Sequence, residues 1–370
     1  MIYCGQPDIG AAEEAAVLDV LRGGRLTRGP VVAEFERLFG GINGLYMHAV
    51  YMHAVSSGTA ALHLALLAAG VGRGDEVIVP ATTFVSTVNA VLYCGAKPVV
   101  VDVDPRSWTI DLDEMARAVT EKTKAIIPVH LYGVPAPSLN DWKVDYYRST
   151  GRRIVVIEDC AESIGCLRSG WAPAADMNCY SFYGSKTITT GEGGAVGTQE
   201  KLFAERIAHL AGQAMTATRY VHDALGWNYR MTEVQAAIGV AQLSRLSEFM
   251  AKRRQVFDWY NARLPDAFRR QAVAKDDTHG CWAFAVIKEY GGQMDARHVE
   301  RLMREDGIET RPIFPPVCHF PHVQRAGKCW PATVGMRLYR HGLVLPTHTG
   351  LTENDVERVC ASLVKAASCS

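Results

Sequence analysis

The chain has 370 residues and is 48% hydrophobic, long enough for one large domain and a smaller one, each with its own core. Its 39 basic and 39 acidic residues cancel to a formal charge of zero, so no overall field draws it to nucleic acid or an anionic membrane. Any phosphate it handles must be met by local groups.

Ten cysteines are scattered without a CxxC pair or a regular spacing, which reads as reduced thiols in a cytoplasmic protein. The opening MIYCGQPDIGAAEE lacks a basic n-region and an apolar core, and no apolar run approaches the roughly 20 residues of a membrane span. Export and membrane insertion are therefore not expected.

In chain order, Asp8 is read as an N-cap, and IGAAEEAAVLDVLRGG then places Ala12, Ala15, Ala16 and Val20 at helical spacing before Gly23 and Gly24. VVAEFERLF follows Pro30, which suits a first helical turn. The segment YMHAV next occurs twice in succession, at 46–50 and 51–55. Short β-branched runs follow, VIV at 77–79, PVVVDV at 98–103, AIIPV at 125–129 and RIVVIED at 153–159, separated by helical or polar segments such as LNDWKVDYYRST. That alternation predicts an α/β domain with a mostly parallel sheet covered on both faces. One long helical pattern from Thr232 to Leu264 leads into a C-terminal part, where CWAFAVI (281–287) reads as a strand, ARHVERLMREDG as a helix ended by Gly307, and ENDVERVCASLVKAA as a closing helix. The expected organisation is a large α/β domain over 1–250 and a smaller α+β domain over 251–370.

Three short constellations can carry chemistry. SSGTAALHLALLAAG (56–70) is a small-residue turn entering an apolar helix, whose free N–H groups and dipole make an anion site, although many helices begin with Ser-Gly-Thr only for capping. In IEDCAES, Asp159 ends an apolar strand, where parallel sheets present ligand-contacting groups; an isolated Asp there can equally be an N-cap or a solvated loop carboxylate. In SFYGSKTITTGEGGAV, Lys186 precedes a Gly-rich turn; it can be a surface lysine beside a hairpin, and it is not a P-loop lysine because GxxxxGK[ST] is absent. Taken together, a phosphate-binding helix start, a strand-end Asp and a later lysine suit a pyridoxal phosphate enzyme: the lysine joins the cofactor aldehyde and the carboxylate keeps the pyridine nitrogen protonated.

The chain resembles the DegT/StrS nucleotide-sugar aminotransferases. The stretches that carry the likeness are GRLTRGPVVAEFE, SSGTAALHLAL, GDEVIVPATTFVSTVNAV, PVVVDVDP, IIPVHLYG, VVIEDCAESIG, SFYGSKTITTGEGGAV, LGWNYRMTEVQAAIGVAQL and GIETRPIF, in family order. The resemblance implies the α/β fold of type I pyridoxal phosphate enzymes, with a mostly parallel seven-stranded sheet in the large domain. It makes Lys186 the Schiff-base lysine and Asp159 the partner of the pyridine nitrogen. Gly58, Thr59 and Ala60 then line the cofactor phosphate through backbone N–H groups, with the Ser181 hydroxyl as a further donor. Phe84 falls where the family stacks an aromatic ring on the pyridine, and Asn228 where a residue reaches the phosphate of the neighbouring subunit, implying a homodimer with shared sites. Glu162 replaces a common glutamine; facing the cofactor's phenolic oxygen it must carry a proton or lean away. Tyr229, Arg230 and Arg311 are expected to meet the substrate and His319 a substrate phosphate. Cys318, His319, His322 and Cys329 match no common zinc module, and no metal is expected.

The resemblance further implies transfer of an amino group from L-glutamate to a nucleotide-linked keto sugar. NYRMTEVQAAIG is similar to relatives that aminate C4 of a 4-keto-6-deoxyhexose, whereas those acting at C3 more often read NSRLDE. Among C4 enzymes the chain is most similar to perosamine-type synthases, whose substrate carries GDP, but GRLTRGPVVAEFE is equally similar to UDP- and dTDP-sugar enzymes, so the nucleotide stays open. A sugar dehydratase would carry histidine at the place of Lys186, and a cofactor-binding regulator without activity would not need Lys186, Asp159 and Ser181 together. The doubled YMHAV has a place in this scheme. A strand has a period of two, so in one continuous strand the copies would turn equivalent residues to opposite faces. The second copy, Tyr51 to Val55, is expected to lead into Thr59 and Ala60, with the first accommodated as a loop, bulge or extension.

Overall fold

The four β-branched runs fall in or overlap strands of one large sheet. In the computed structural model, which describes residues 1–42, 50–168, 175–288 and 293–368, the first seven strands of that sheet in chain order are β1 (Tyr51–Val55), β2 (Glu76–Pro80), β3 (Lys97–Val101), β4 (Thr123–Ile126), β5 (Val155–Asp159), β6 (Met177–Ser181) and β7 (Gly194–Thr198). The second copy of YMHAV is thus β1; the first copy lies largely in 43–49, outside the described residues. Helices α1 (Ala11–Gly23), α2 (Pro30–Gly40), α3 (Gly58–Ala68), α4 (Val85–Tyr93), α5 (Leu112–Ala118), α6 (Asn140–Thr150) and α7 (Lys201–Ala211) surround these strands. In β2, Val77 and Val79 join the cluster that includes Leu64 of α3, Val88 of α4 and Ile207 of α7, while Ile78 joins Met115 of α5 on the other side. β5, β6 and β7 are likewise buried along their whole length, as a sheet covered on both faces requires.

The second part contains α8 (Glu233–Ser244), α9 (Leu246–Arg263), β8 (Phe268–Arg270), β9 (Phe284–Lys288), α10 (Ala296–Glu305), β10 (Arg311–Pro312), α11 (Pro321–Ala326), β11 (Lys328–Cys329), α12 (Thr333–His341), β12 (Gly342–Leu345) and α13 (Glu353–Ala366). The large sheet runs β1-β7-β6-β5-β4-β2-β3-β11, with β7 antiparallel to both of its neighbours and the remaining pairs parallel. The expected seven strands are therefore joined by an eighth. Two residues of the C-terminal part pair with the edge of β3, and the Trp330 N–H donates to the Val100 carbonyl at 2.9 Å, which covers part of that edge. A four-stranded antiparallel sheet, β10-β12-β9-β8, packs with Val256, Tyr260, Val299 and Val356, and Ile2 from the N-terminus enters the same cluster.

Two local expectations are corrected. The N-cap of α1 is Gly10, whose N–H is met by the Glu13 carboxylate at 2.8 Å; Asp8 is instead held by Arg245 at 2.7 Å and by the Thr349 hydroxyl at 2.9 Å. The long helix from Thr232 is two helices. Ser244 donates its hydroxyl to the Ala241 carbonyl at 2.7 Å, a bond that competes with helical geometry, and Arg245 turns out of the helix at ψ 3°.

Candidate active site

The site is assembled at the carboxyl ends of the parallel strands, where loops can carry polar groups that the sheet interior cannot. α3 is anchored by burial of nearly its whole surface, from Ala60 to Ala68, and this holds its N-terminus at the end of β1. Ser57 caps that helix, its Oγ accepting from the Ala60 N–H at 3.1 Å. The cap thus engages the Ala60 N–H, and Gly58 and Thr59 are the first-turn donors left without an intrahelical partner. The Thr59 hydroxyl shares a 2.8 Å hydrogen bond with that of Ser86. A Cβ at Gly58 would lie 2.8 Å from the Ser181 Cβ, so glycine alone keeps the helix start and the end of β6 this close.

Asp159 closes β5 in a buried position. Its Oδ2 accepts from the Thr87 hydroxyl at 2.8 Å, itself paired with Thr83 at 2.8 Å, and its Oδ1 accepts from the Ala161 N–H at 3.1 Å. Burial lifts the Asp159 carboxyl above its ordinary range; the bonds from Thr87 and Ala161 and the charge of Lys186 act against that rise. Glu162 is also buried and also lifted, chiefly by desolvation, with Lys186 and the Tyr132 N–H, which donates to its Oε2 at 2.8 Å, opposing the shift. After β6 a turn closed by the Lys186 N–H on the Tyr183 carbonyl at 2.9 Å directs the lysine back over the strand ends. Its Nζ lies 3.4 Å from Glu162 Oε1 and 4.0 Å from the centroid of the Trp282 ring.

These groups face one cavity of about 400 Å³, lined among others by Gly58, Thr59, Ser181, Glu192, Arg311 and Phe314. Phe84 stands on its rim with 56% of its surface bare, tilted against Phe314 at 5.8 Å. Glu158, next to Asp159 but facing away into the protein, binds Arg168 at 2.9 Å and Asn178 at 2.9 Å. Burial would raise its carboxyl, but Arg168 and His130 outweigh burial and bring it down to about 2.

Of the residues expected from sequence, Gly58, Thr59, Phe84, Asp159, Glu162, Ser181, Lys186 and Arg311 line this cavity. Ala60, Asn228, Tyr229, Arg230 and His319 do not line it. The NYR run is laid beside the helix start: Arg230 bridges to Val55, the Tyr229 carbonyl accepts from Ser56 N–H at 2.7 Å, and the exposed Asn228 bridges to Gly212. His319 is exposed in a short 3-10 turn, and His322 turns aside to bond Asn89 at 2.9 Å. Sequence reading missed Thr87, Tyr132 and Trp282. Thr87 lies one helical turn after Phe84 in FVSTVNAV, a spacing that places both at one end of α4. Trp282 was visible only as part of a strand-like run.

The model of the DegT/DnrJ/EryC1/StrS aminotransferase family matches residues 7–364. The chain belongs to that family. A GDP-perosamine synthase of Caulobacter vibrioides is 41% identical to this chain over 347 residues that cover 90% of each protein. A GDP-perosamine synthase of Escherichia coli O157:H7 is 36% identical, covering 97% of this chain and 96% of its own. Among solved structures, a putative sugar aminotransferase of Streptococcus pneumoniae in its PMP form superposes with a TM-score of 0.90 at 26% identity, covering 99% of this chain and 97% of that one. The chain is accordingly a pyridoxal phosphate-dependent aminotransferase with the fold of the family's sugar aminotransferases. Its cavity fits that cofactor on its own chemistry. A narrow cradle of N–H and hydroxyl donors suits a phosphate, a buried carboxyl suits a ring nitrogen, a bare aromatic face suits a flat ring, and a lysine amine stands between them.

Proposed function

We propose that this aminotransferase moves the amino group of L-glutamate to C4 of a GDP-linked 4-keto-6-deoxyhexose, as a GDP-perosamine synthase does. The observation that carries the reading is the set of GDP-perosamine synthases from Caulobacter vibrioides, Escherichia coli O157:H7 and Vibrio cholerae, which cover 90%, 97% and 100% of this chain at 41%, 36% and 31% identity. We assign Gly58, Thr59 and Ser181 to the cofactor phosphate, Asp159 to the ring nitrogen, Phe84 to the ring face and Glu162 to the phenolic oxygen. Bound pyridoxal phosphate supplies the aldehyde that carries the amino group and a ring that takes up electrons.

The protein's part is positional and protonic. Lys186 Nζ takes a proton from the substrate carbon and returns one, within reach of Glu162. The raised carboxyl of Glu162 favours its protonated form, which can donate a hydrogen bond where an ionised one would repel. Two donors to Asp159 oppose the rise that burial causes, and so favour the ionised state that a protonated ring nitrogen needs. Arg311, exposed at the cavity mouth, is assigned to an anionic group of the substrate. Asn228, Tyr229, Arg230 and His319, away from this cavity, are assigned to a site shared between two copies of the chain in a homodimer. The chain divides near residue 250, and the protein works in the cytoplasm, where it serves polysaccharide or O-antigen synthesis.

Supplying L-glutamate with GDP-, UDP- and dTDP-linked 4-keto-6-deoxyhexoses and locating the new amine by NMR tests this reading. Amination at C4 of the GDP sugar, with 2-oxoglutarate released, is the expected result. A relative from Acidithiobacillus ferrooxidans named as a UDP-N-acetyl-3-dehydro-alpha-D-glucosamine 3-aminotransferase is 36% identical over 312 residues. Turnover of a UDP-linked 3-keto sugar alone would therefore replace the proposal.

A further inference from the structure

Trp282 reaches the site from the second sheet, just before β9. Its ring face lies 4.0 Å from Lys186 Nζ, and its Nε1–H donates to the Ser185 carbonyl at 3.0 Å, the peptide directly before that lysine. One side chain thus touches both ends of the Lys186 residue. The indole is itself fixed. Tyr132 stacks on it at 6.2 Å, and the Trp282 carbonyl accepts from Arg253 Nη1 at 3.1 Å, a guanidinium that also donates to the Thr347 carbonyl at 3.2 Å.

Arg253, on α9, is 3% exposed, and among the described residues no carboxylate lies within ion-pair distance of it. Burial brings its guanidinium down to about 10. A buried cation bonded only to carbonyls is costly to keep, and its bonds go to the backbone that aims the indole. That backbone is also strained: Cys281 adopts φ +52°, a left-handed conformation unusual for a non-glycine residue, and its N–H is held by His279 Nδ1 at 2.8 Å.

We propose that Arg253 and Trp282 form one positioning device for Lys186, in which the guanidinium fixes the tryptophan backbone and the indole both pins the Ser185 peptide and gives the free amine a resting face in addition to its contact with Glu162. The inference rests on Lys186 being the reacting amine. Its structural half concerns only contacts within the protein and can be read without cofactor.

The test is acylation of Lys186 in the cofactor-free protein, followed by mass spectrometry with the exposed Lys201 as internal reference. Trp282→Leu removes both contacts and is expected to raise Lys186 labelling about 5- to 30-fold, the range of a desolvated cation–π contact. Trp282→Phe keeps a ring face and should stay within about threefold of the parent, and Arg253→Met should move labelling in the same direction as Trp282→Leu. Because the two residues act in series, the double variant should add little to the larger single effect. Near-UV circular dichroism checks folding, and should the leucine form fail to fold, Trp282→Met takes its place with the same outcomes. In the loaded enzyme kcat should fall about 10- to 100-fold with KM for L-glutamate nearly unchanged. Equal labelling in the parent and the folded Trp282→Leu or Trp282→Met form, or an Arg253→Met form that loses stability without a change in labelling, overturns the device. Changed labelling with unchanged kcat overturns its part in catalysis. Absence of turnover in the parent protein would instead sink the proposed function and leave the labelling result standing.

Discussion

In the proposed role Asp159 must be charged although burial raises its carboxyl, and Thr87 and Ala161 are the donors that oppose that rise. Thr87→Val deletes the stronger donor without changing side-chain shape greatly. Asp159 then rises further and gains its proton earlier as pH falls, so the acid limb of the kcat/KM profile should move upward. An unmoved acid limb would show that Thr87 does not tune Asp159. Glu162 works in the opposite sense. If its protonated form is the useful one, Glu162→Gln, which offers a permanent N–H donor, should keep turnover within about tenfold of the parent and extend it to higher pH. A complete loss of turnover in this variant would assign the carboxylate form a role of its own. Asp159 was legible from sequence because it ends an apolar strand run, and Ser181 and Lys186 because SFYGSKTITTGEGGAV resembles the family's stretch. Trp282 was not, because its contact with Lys186 exists only once two separate sheets have met.

At the level of elements, the helix start of α3 is the part most exposed to small changes. Ser57→Ala removes the cap on Ala60 and should lower stability by about 1 kcal/mol in a thermal or denaturant unfolding measurement. Gly58→Val should act elsewhere: its branched side chain would fill the gap to Ser181, so pyridoxal phosphate affinity should drop strongly in a cofactor titration. Titration equal to the parent would mean that the phosphate lies outside this cradle. The doubled YMHAV belongs to this scale too. The copy at 51–55 forms β1 in register with β7, so removing 46–50 should leave cofactor binding intact, and a colourless deletion variant in the presence of pyridoxal phosphate would refute the reading. Strand and helix positions were largely readable because their apolar periods are long. β11 was not, since two residues carry no period, and the break at Arg245 depends on a side-chain bond and on ion pairs to residues far away in sequence.

Across the whole molecule, the Glu158 cluster ties β5 and β6 together beneath the site. Its carboxyl lies at about 2 in the folded protein against an ordinary 4.5. A lowered folded value means that the stabilisation is present above about pH 4.5 and is lost as pH falls toward 2, the window between the two values. Glu158→Gln should therefore cost on the order of 3 kcal/mol near neutral pH, and the gap to the parent should close as pH drops through that window. A gap independent of pH would assign the effect to packing alone. Among the described residues no helix is long and apolar enough to cross a membrane.

The most direct measurement is a half reaction: cofactor-loaded protein mixed with L-glutamate in the absence of any keto sugar, following the visible absorption of the bound cofactor and the 2-oxoglutarate formed. The account predicts loss of the visible band with one 2-oxoglutarate per loaded site, and neither change in Lys186→Ala. A Lys186→Ala protein that releases 2-oxoglutarate at the parent rate, or a loaded parent protein whose spectrum ignores L-glutamate, would contradict it.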